Sequence, residues 1–101
     1  MTVTAHPSSD GTELTIKVTG RFDFSAHQEF RETYESAPAQ VRAYNIDMTD
    51  ATYLDSSALG MLLLLRDHAG GDSARISIVN CNPDVRKILN ISNFGQLFNI
   101  E

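Results

Sequence analysis

Alternating apolar and polar positions predict the first strands of this chain. Leu14, Ile16 and Val18 are separated by polar residues, which is the period of a strand with one buried face. Residues 2–5 can extend as a shorter strand, and the turn-forming cluster at 7–11 lies between the two. We therefore expect a β-hairpin whose second strand ends at Gly20.

Helical spacing follows the hairpin. Ser25 and Gln28 have the spacing of a capping box, in which the two side chains satisfy the first free amides of a helix. The helix that they predict carries apolar side chains on one face, at Ala26, Phe30 and Tyr34.

A second alternation, at Tyr44, Ile46 and Met48, predicts a central strand. We expect a loop over residues 49–54 and then a strongly apolar helix over 56–69, which two glycines close.

The last third of the chain repeats the strand, helix and strand pattern. Residues 75–79 predict a strand, Asn82 and Pro83 predict the cap and first residue of a short helix, and residues 97–100 predict a final strand. The order is β-β-α-β-α-β-α-β. We expect a single α/β domain over residues 1–101, with a four- to five-stranded mixed sheet and helices packed mainly on one face.

Composition narrows the classes of partner. The 101 residues, 42% of them hydrophobic, suit one compact core. Eight basic and thirteen acidic residues give a net charge of −5, which disfavours nucleic acid and anionic membranes. The longest apolar run, residues 58–65, is too short to insert across a bilayer, and no segment resembles a signal peptide. We expect a cytoplasmic protein.

Catalytic machinery is not visible in the sequence. The chain has no phosphate-binding glycine loop and no nucleophile elbow, its three histidines are scattered, and its one cysteine has no partner at metal-ligand spacing. We expect no enzyme activity, no cofactor and no metal site. We expect Asp47 and Asp55 to lie near Asp23 in space, but the sequence does not identify a general acid and a general base among them.

The segment Asp55-Ser56-Ser57-Ala58-Leu59-Gly60 is the most informative one, because a polar loop there meets an apolar helix. The first amides of a helix have no intrahelical acceptors, so an anion is well tolerated at that end. Two interpretations stay open from these residues alone. Asp55 or Ser56 is simply the N-cap, or the segment is a site for a phosphate.

The helix that follows is apolar all round. Residues 61–65 are five consecutive large apolar side chains, which point in every direction around a helix axis. One face can enter the core, and the opposite face is either covered by neighbouring helices or exposed as a docking surface.

Taken together, these segments resemble the STAS family, specifically the bacterial anti-sigma-factor antagonists. The resemblance rests on Val18-Thr19-Gly20-Arg21-Phe22-Asp23, on Ile46-Asp47-Met48, on residues 53–60 with their leucine-rich helix, and on residues 80–86 before the short helix. It spans nearly the whole chain in the right order and implies a STAS-like domain.

The resemblance implies a phosphorylation-switched binding module. The serine after the aspartate, Ser56 here, would be phosphorylated by a serine kinase that is often also the anti-sigma factor, and a PP2C-type phosphatase would reverse it; Ser57 is the second choice. Unphosphorylated, the protein would bind this partner and release the partner's client. The partner-binding residues that we expect are Asp23, Asp55, Ser56, Ser57, Ala58, Leu59, Met61 and Leu62.

Two departures and two alternatives accompany this interpretation. Ala58 stands where many members have glycine, and the sequence ends at Glu101 where many continue into another helix, so the last strand is expected to be more open, in a monomer or a weak dimer. One alternative keeps the fold as a constitutive STAS subunit of a lipid-transport ABC complex. The other, a small nucleotide hydrolase, has no catalytic residues to support it.

Overall fold

A mixed five-stranded sheet organises residues 3–101, the part of the chain that the computed structural model describes. The strands lie in the order β1-β2-β3-β4-β5. β1 pairs with β2 antiparallel, and the three remaining neighbouring pairs are parallel. The elements are β1 Val3–Pro7, β2 Glu13–Phe22, α1 His27–Glu35, β3 Ala43–Leu54, α2 Ser56–His68, β4 Ile76–Val79, α3 Pro83–Ile91 and β5 Asn99–Ile100. The predicted α/β class and element order are confirmed.

One face of the sheet forms the core because apolar side chains alternate along its central strands. Each of these strands places its apolar residues on the same side, where the helices cover them, while the intervening polar residues stay partly or wholly exposed. The buried strand residues are Leu14, Ile16, Val18 and Phe22 of β2, Tyr44, Ile46, Met48, Ala51 and Leu54 of β3, and Ile76 and Ile78 of β4.

Both central strands run further than the sequence predicts. β2 does not end at Gly20 but continues to Phe22, and residues 49–54, predicted as a loop, belong to β3. Gly20 has a φ of +80°, and the pairing shifts register on both sides of Thr19 and Gly20, so a bulge lets the two strands stay paired. The strands therefore end side by side, with Phe22 opposite Leu54.

The predicted start of α1 is wrong. Ser25 lies in a 3₁₀ turn over Phe24–Ala26, and its hydroxyl donates to the carboxylate of Asp23 at 2.5 Å. That acceptor is charged and only two residues away, so the hydroxyl is not available for a capping box. α1 begins at His27, and its N-cap, Ala26, makes no side-chain hydrogen bond.

The remaining helices follow their sequence signals. α2 ends one residue earlier than predicted, and α3 begins at Pro83 with Asn82 as its N-cap. β5 is shorter than predicted because a 3₁₀ turn over Phe94–Gln96 precedes it. Phe98, which the sequence predicts to lie in this strand, is outside it, but its side chain is buried. Within residues 3–101, no helix has the length and apolarity needed to cross a membrane.

Candidate functional site

Three neighbouring strands run parallel, and a capping side chain follows each of them. Asp23 follows β2, Asp55 follows β3, and Asn82 lies three residues after β4. Each accepts a hydrogen bond from a backbone amide of the turn or helix that it begins. The Asn82 side-chain amide also donates to the Ala51 carbonyl at 3.1 Å, which ties the start of α3 to β3.

Asp55 is the N-cap of α2. Its backbone is extended, and its Oδ1 accepts from the Ala58 amide at 3.0 Å and from the Ser57 hydroxyl at 2.6 Å. The hydrogen bond from Ser57, with those from the first helical amides, holds the pKa of the Asp55 carboxyl below its usual value. Asp55 is therefore ionised at neutral pH.

Ser56 has a different role from both neighbours. It is the first residue of α2, it is exposed, and its hydroxyl makes no hydrogen bond to any of residues 3–101. Asp55 supplies the cap, and Ser57, half-buried, supports that cap. Of the two sequence interpretations, the cap therefore belongs to Asp55, and the hydroxyl of Ser56 is left free at the positive end of a 13-residue helix.

Asp23 forms a second cap beside the first. Its Oδ1 accepts from the amide and the hydroxyl of Ser25, at 3.0 and 2.5 Å, and these bonds lower the pKa of its carboxyl. The charge of Asp23 in turn acts to raise the pKa of Asp55, because the two carboxylates lie near each other. The structure thus brings together Asp23, Asp55 and Ser56, as the sequence predicts.

Arg21 balances part of this negative charge. Its Nε lies 3.4 Å from the Asp23 carboxylate, and its guanidinium group lies 4.1 Å from the ring centroid of Tyr53, its partner residue on β3. The guanidinium group therefore spans the ends of both strands.

Asp47 does not join the other aspartates. It lies on β3, eight residues before Asp55, a separation on the order of 25 Å along an extended strand. Its carboxylate accepts instead from Thr49, at 2.9 and 2.5 Å, and from Asn80, at 3.2 Å. The expectation that Asp47 approaches Asp23 is wrong.

The partner-binding set needs a correction on α2. Ala58, Met61 and Leu62 are buried, at 0%, 3% and 0% exposure, so in this fold they pack in the core and present no surface to a partner. Leu59 is half-buried against the core. The exposed leucines of α2 are Leu63 and Leu64.

Sequence reasoning missed Phe24 and Arg21 as candidates. Phe24 is 71% exposed directly after the Asp23 cap. The signal that points to it is the repeated pattern of aspartate, one residue and serine, which occurs at residues 23–25 and again at 55–57. The residue between aspartate and serine is exposed in both copies.

Comparison with known proteins agrees with this architecture. The family model described as "Mlab, STAS domain" matches residues 5–99. A STAS-domain-containing protein of Pseudomonas aeruginosa (strain UCBPP-PA14) is 66% identical over 100 residues, which cover 99% of each chain.

Solved structures share the fold at low identity. The anti-sigma factor antagonist SpoIIAA in its unphosphorylated form has a TM-score of 0.80 and 21% identity, over 98% of this chain and 87% of that one. A sulfate transporter family protein from Wolinella succinogenes has a TM-score of 0.70 and 10% identity, over 84% and 74% of the two chains. Antagonists and a transporter protein therefore share this fold. The family match and the relative from Pseudomonas together show that the chain belongs to the STAS domain family.

Proposed function

We propose that this protein is an anti-sigma-factor antagonist, a binding module and not an enzyme, whose switch is phosphorylation of Ser56. Without phosphate it binds an anti-sigma factor or serine kinase and releases that partner's client; a PP2C-type phosphatase restores this state. The observation that carries the proposal is the division of roles at residues 55–57. Because Asp55 caps α2 and Ser57 supports the cap, Ser56 is free to be modified.

Charge explains how one phosphate acts as a switch. A phosphoserine carries about −1.5 to −2 charges at neutral pH, and the amino end of α2 limits its cost within the fold. A partner that covers Ser56 must desolvate this group beside the ionised Asp55, which costs on the order of 2–5 kcal/mol unless basic side chains meet it. Every ~1.4 kcal/mol is a tenfold change in affinity, so phosphorylation dissociates the complex while the fold persists.

The docking surface that we propose consists of side chains that the structure leaves accessible around this switch. Asp23, Asp55, Ser56 and Ser57 form its centre, and Leu59 lies at its border on α2. It replaces the broader set expected from the sequence, without the three residues of α2 that are buried.

Mass spectrometry and binding measurements with single variants test the proposal. Incubated with ATP and each serine kinase of the native host, the wild type and Ser57→Ala should gain one phosphate, and Ser56→Ala should gain none. Ser56→Asp should weaken binding to the cognate anti-sigma factor by at least about thirtyfold, the equivalent of about 2 kcal/mol. Ser73→Asp, an exposed position just beyond the other end of α2, is the control for added charge and should bind as the wild type does.

Two results contradict the proposal. If Ser56→Ala still gains a phosphate, Ser56 is not the modified residue. If Ser56→Asp binds the anti-sigma factor with wild-type affinity, phosphorylation of Ser56 does not control binding.

A second candidate is the constitutive subunit of a lipid-transport ABC complex. The observation that favours it is the pair of exposed leucines, Leu63 and Leu64, at 42% and 52% exposure on α2. In that case Ser56 would be unmodified in cells, an ATPase subunit would copurify, and Leu64→Asp would disrupt the complex while Ser56→Asp would not.

A further inference from the structure

Phe24 is exposed for no reason that the fold supplies. Its side chain is 71% exposed and its ring stacks on that of His27, with centroids 5.3 Å apart. The cap around it is made by the Asp23 carboxylate with the amide and hydroxyl of Ser25, so the turn does not need an aromatic residue there. Single exposed apolar residues are common on protein surfaces, so the significance of Phe24 depends on its position next to Ser56.

Phe24 and Ser56 occupy equivalent positions in two adjacent caps. Asp23 and Asp55 have nearly the same backbone angles, at φ −136°, ψ −170° and φ −120°, ψ −175°, and each accepts a hydroxyl bond from the serine two residues later. They follow Phe22 and Leu54, which are paired on neighbouring parallel strands. Such strands lie about 4.8 Å apart, so the two caps stand side by side and present Phe24 and Ser56 on the same edge of the sheet.

The charges around this pair define what a partner must offer. Asp23 and Asp55 flank the two exposed residues, and Arg21 lies against Asp23 and the ring of Tyr53. An aromatic side chain with ionised groups at its border has the composition of an interface hot spot, where the apolar anchor is buried and the rim carries complementary charge. The complementary surface is an apolar pocket with basic side chains at its rim.

We propose that Phe24 is the apolar anchor of the complex, and that it inserts into such a pocket on the same anti-sigma factor or serine kinase that covers Ser56. The inference rests on the proposed function and assigns different roles to two residues of the same surface. Phe24 supplies binding energy and selects partners by pocket shape, while Ser56 decides whether the surface binds at all.

The chain offers a matched control for the anchor. Ile91, the last residue of α3, is 72% exposed and lies at the end of that helix away from the Asn82 cap. Replacing either side chain by alanine removes a similarly exposed apolar group, so both variants should keep the wild-type free energy of unfolding, which urea denaturation checks.

Binding to purified proteins tests the anchor. The probes are the anti-sigma factors and serine kinases of the native host, each purified and titrated singly by calorimetry against the full chain. For the anti-sigma factor or kinase that binds the wild type, Phe24→Ala should reduce affinity at least about twentyfold. Ile91→Ala should stay within about twofold of the wild type, and Phe24→Leu should bind more tightly than Phe24→Ala.

The possible failures are distinguishable. If Phe24→Ala binds within about threefold of the wild type while Ser56→Asp does not bind, the anchor is overturned and the proposed function stands. If Ile91→Ala loses as much as Phe24→Ala, the effect is not specific to this edge and the anchor is overturned. If no probe binds the wild type, or Ser56→Asp binds normally, the proposed function itself fails.

Discussion

The turns after β2 and β3 are built alike and differ in what they present and in what they begin. Both start with an extended aspartate whose carboxylate accepts from a serine hydroxyl two residues later. Asp55 begins a 13-residue helix and leaves a serine exposed, whereas Asp23 begins a three-residue 3₁₀ turn and leaves a phenylalanine exposed. The same local hydrogen bonds thus support two different kinds of surface residue.

The difference in length matters for the chemistry of each exposed residue. Peptide dipoles add along a helix, so the amino end of α2 favours an anion, while a single 3₁₀ turn has little dipole to offer. A phosphate is accommodated at Ser56 for this reason. An apolar side chain does not interact with the dipole, so Phe24 does not need a long helix after its cap.

The largest expected difference between the two caps is in stability. Asp55→Ala should lower the free energy of unfolding by about 1 kcal/mol, because α2 loses the side chain that caps its amino end. Asp23→Ala should lower it by less, since its carboxylate serves only a short turn. Urea denaturation followed by circular dichroism measures both.

Asparagine variants provide the control for the caps. Asp55→Asn keeps an acceptor for the Ala58 amide and should retain most of the stability. An equal loss in Asp23→Ala and Asp55→Ala would show that the length of the element after the cap is irrelevant.

The two serines of the second cap should also differ in their effect on stability. Ser57→Ala removes a hydrogen bond to the half-buried Asp55 and should cost about 0.5–1.5 kcal/mol. Ser56→Ala removes an exposed hydroxyl and should stay within about 0.5 kcal/mol of the wild type. Thermal and urea unfolding of the pair compare them directly, and a larger loss in Ser56→Ala would show that Ser56 has a structural role.

The smallest expected effects are on the ionisation of Asp55. Asp23→Asn should lower the pKa of Asp55 further, because the charge of Asp23 acts to raise it, and Ser57→Ala should raise that pKa. Carboxyl-carbon NMR titration measures both shifts. An unchanged pKa of Asp55 in Asp23→Asn would mean that the two caps do not interact.

The sign of the pH effect on stability follows from the lowered pKa of Asp55. Its folded-state pKa is below the unfolded value near 3.8, so the ionised cap stabilises the fold above that value. The contribution is lost as pH falls through the folded pKa. The wild type should therefore lose more stability than Asp55→Asn between neutral pH and strongly acidic pH.

Local patterns in the sequence determined much of this molecule. The alternation at Leu14, Ile16 and Val18, the start of α2 after Asp55, and the Asn82 and Pro83 start of α3 each depend on neighbours within a few residues. Such short-range signals are complete in the sequence, so these elements could be predicted from it. The candidate switch at Ser56 was implied by the resemblance to the STAS family, because the local residues alone are also those of an N-cap.

Tertiary structure decided which surfaces those elements present. Five apolar residues in a row have no preferred face at 100° per residue, and only the position of α2 on the sheet buries Met61 and Leu62 and exposes Leu63 and Leu64. The extension of β2 past Gly20 depends on pairing with β3, which no local pattern encodes. That pairing sets the Asp23 and Asp55 caps side by side, because adjacency across a sheet is a property of the fold and not of sequence distance.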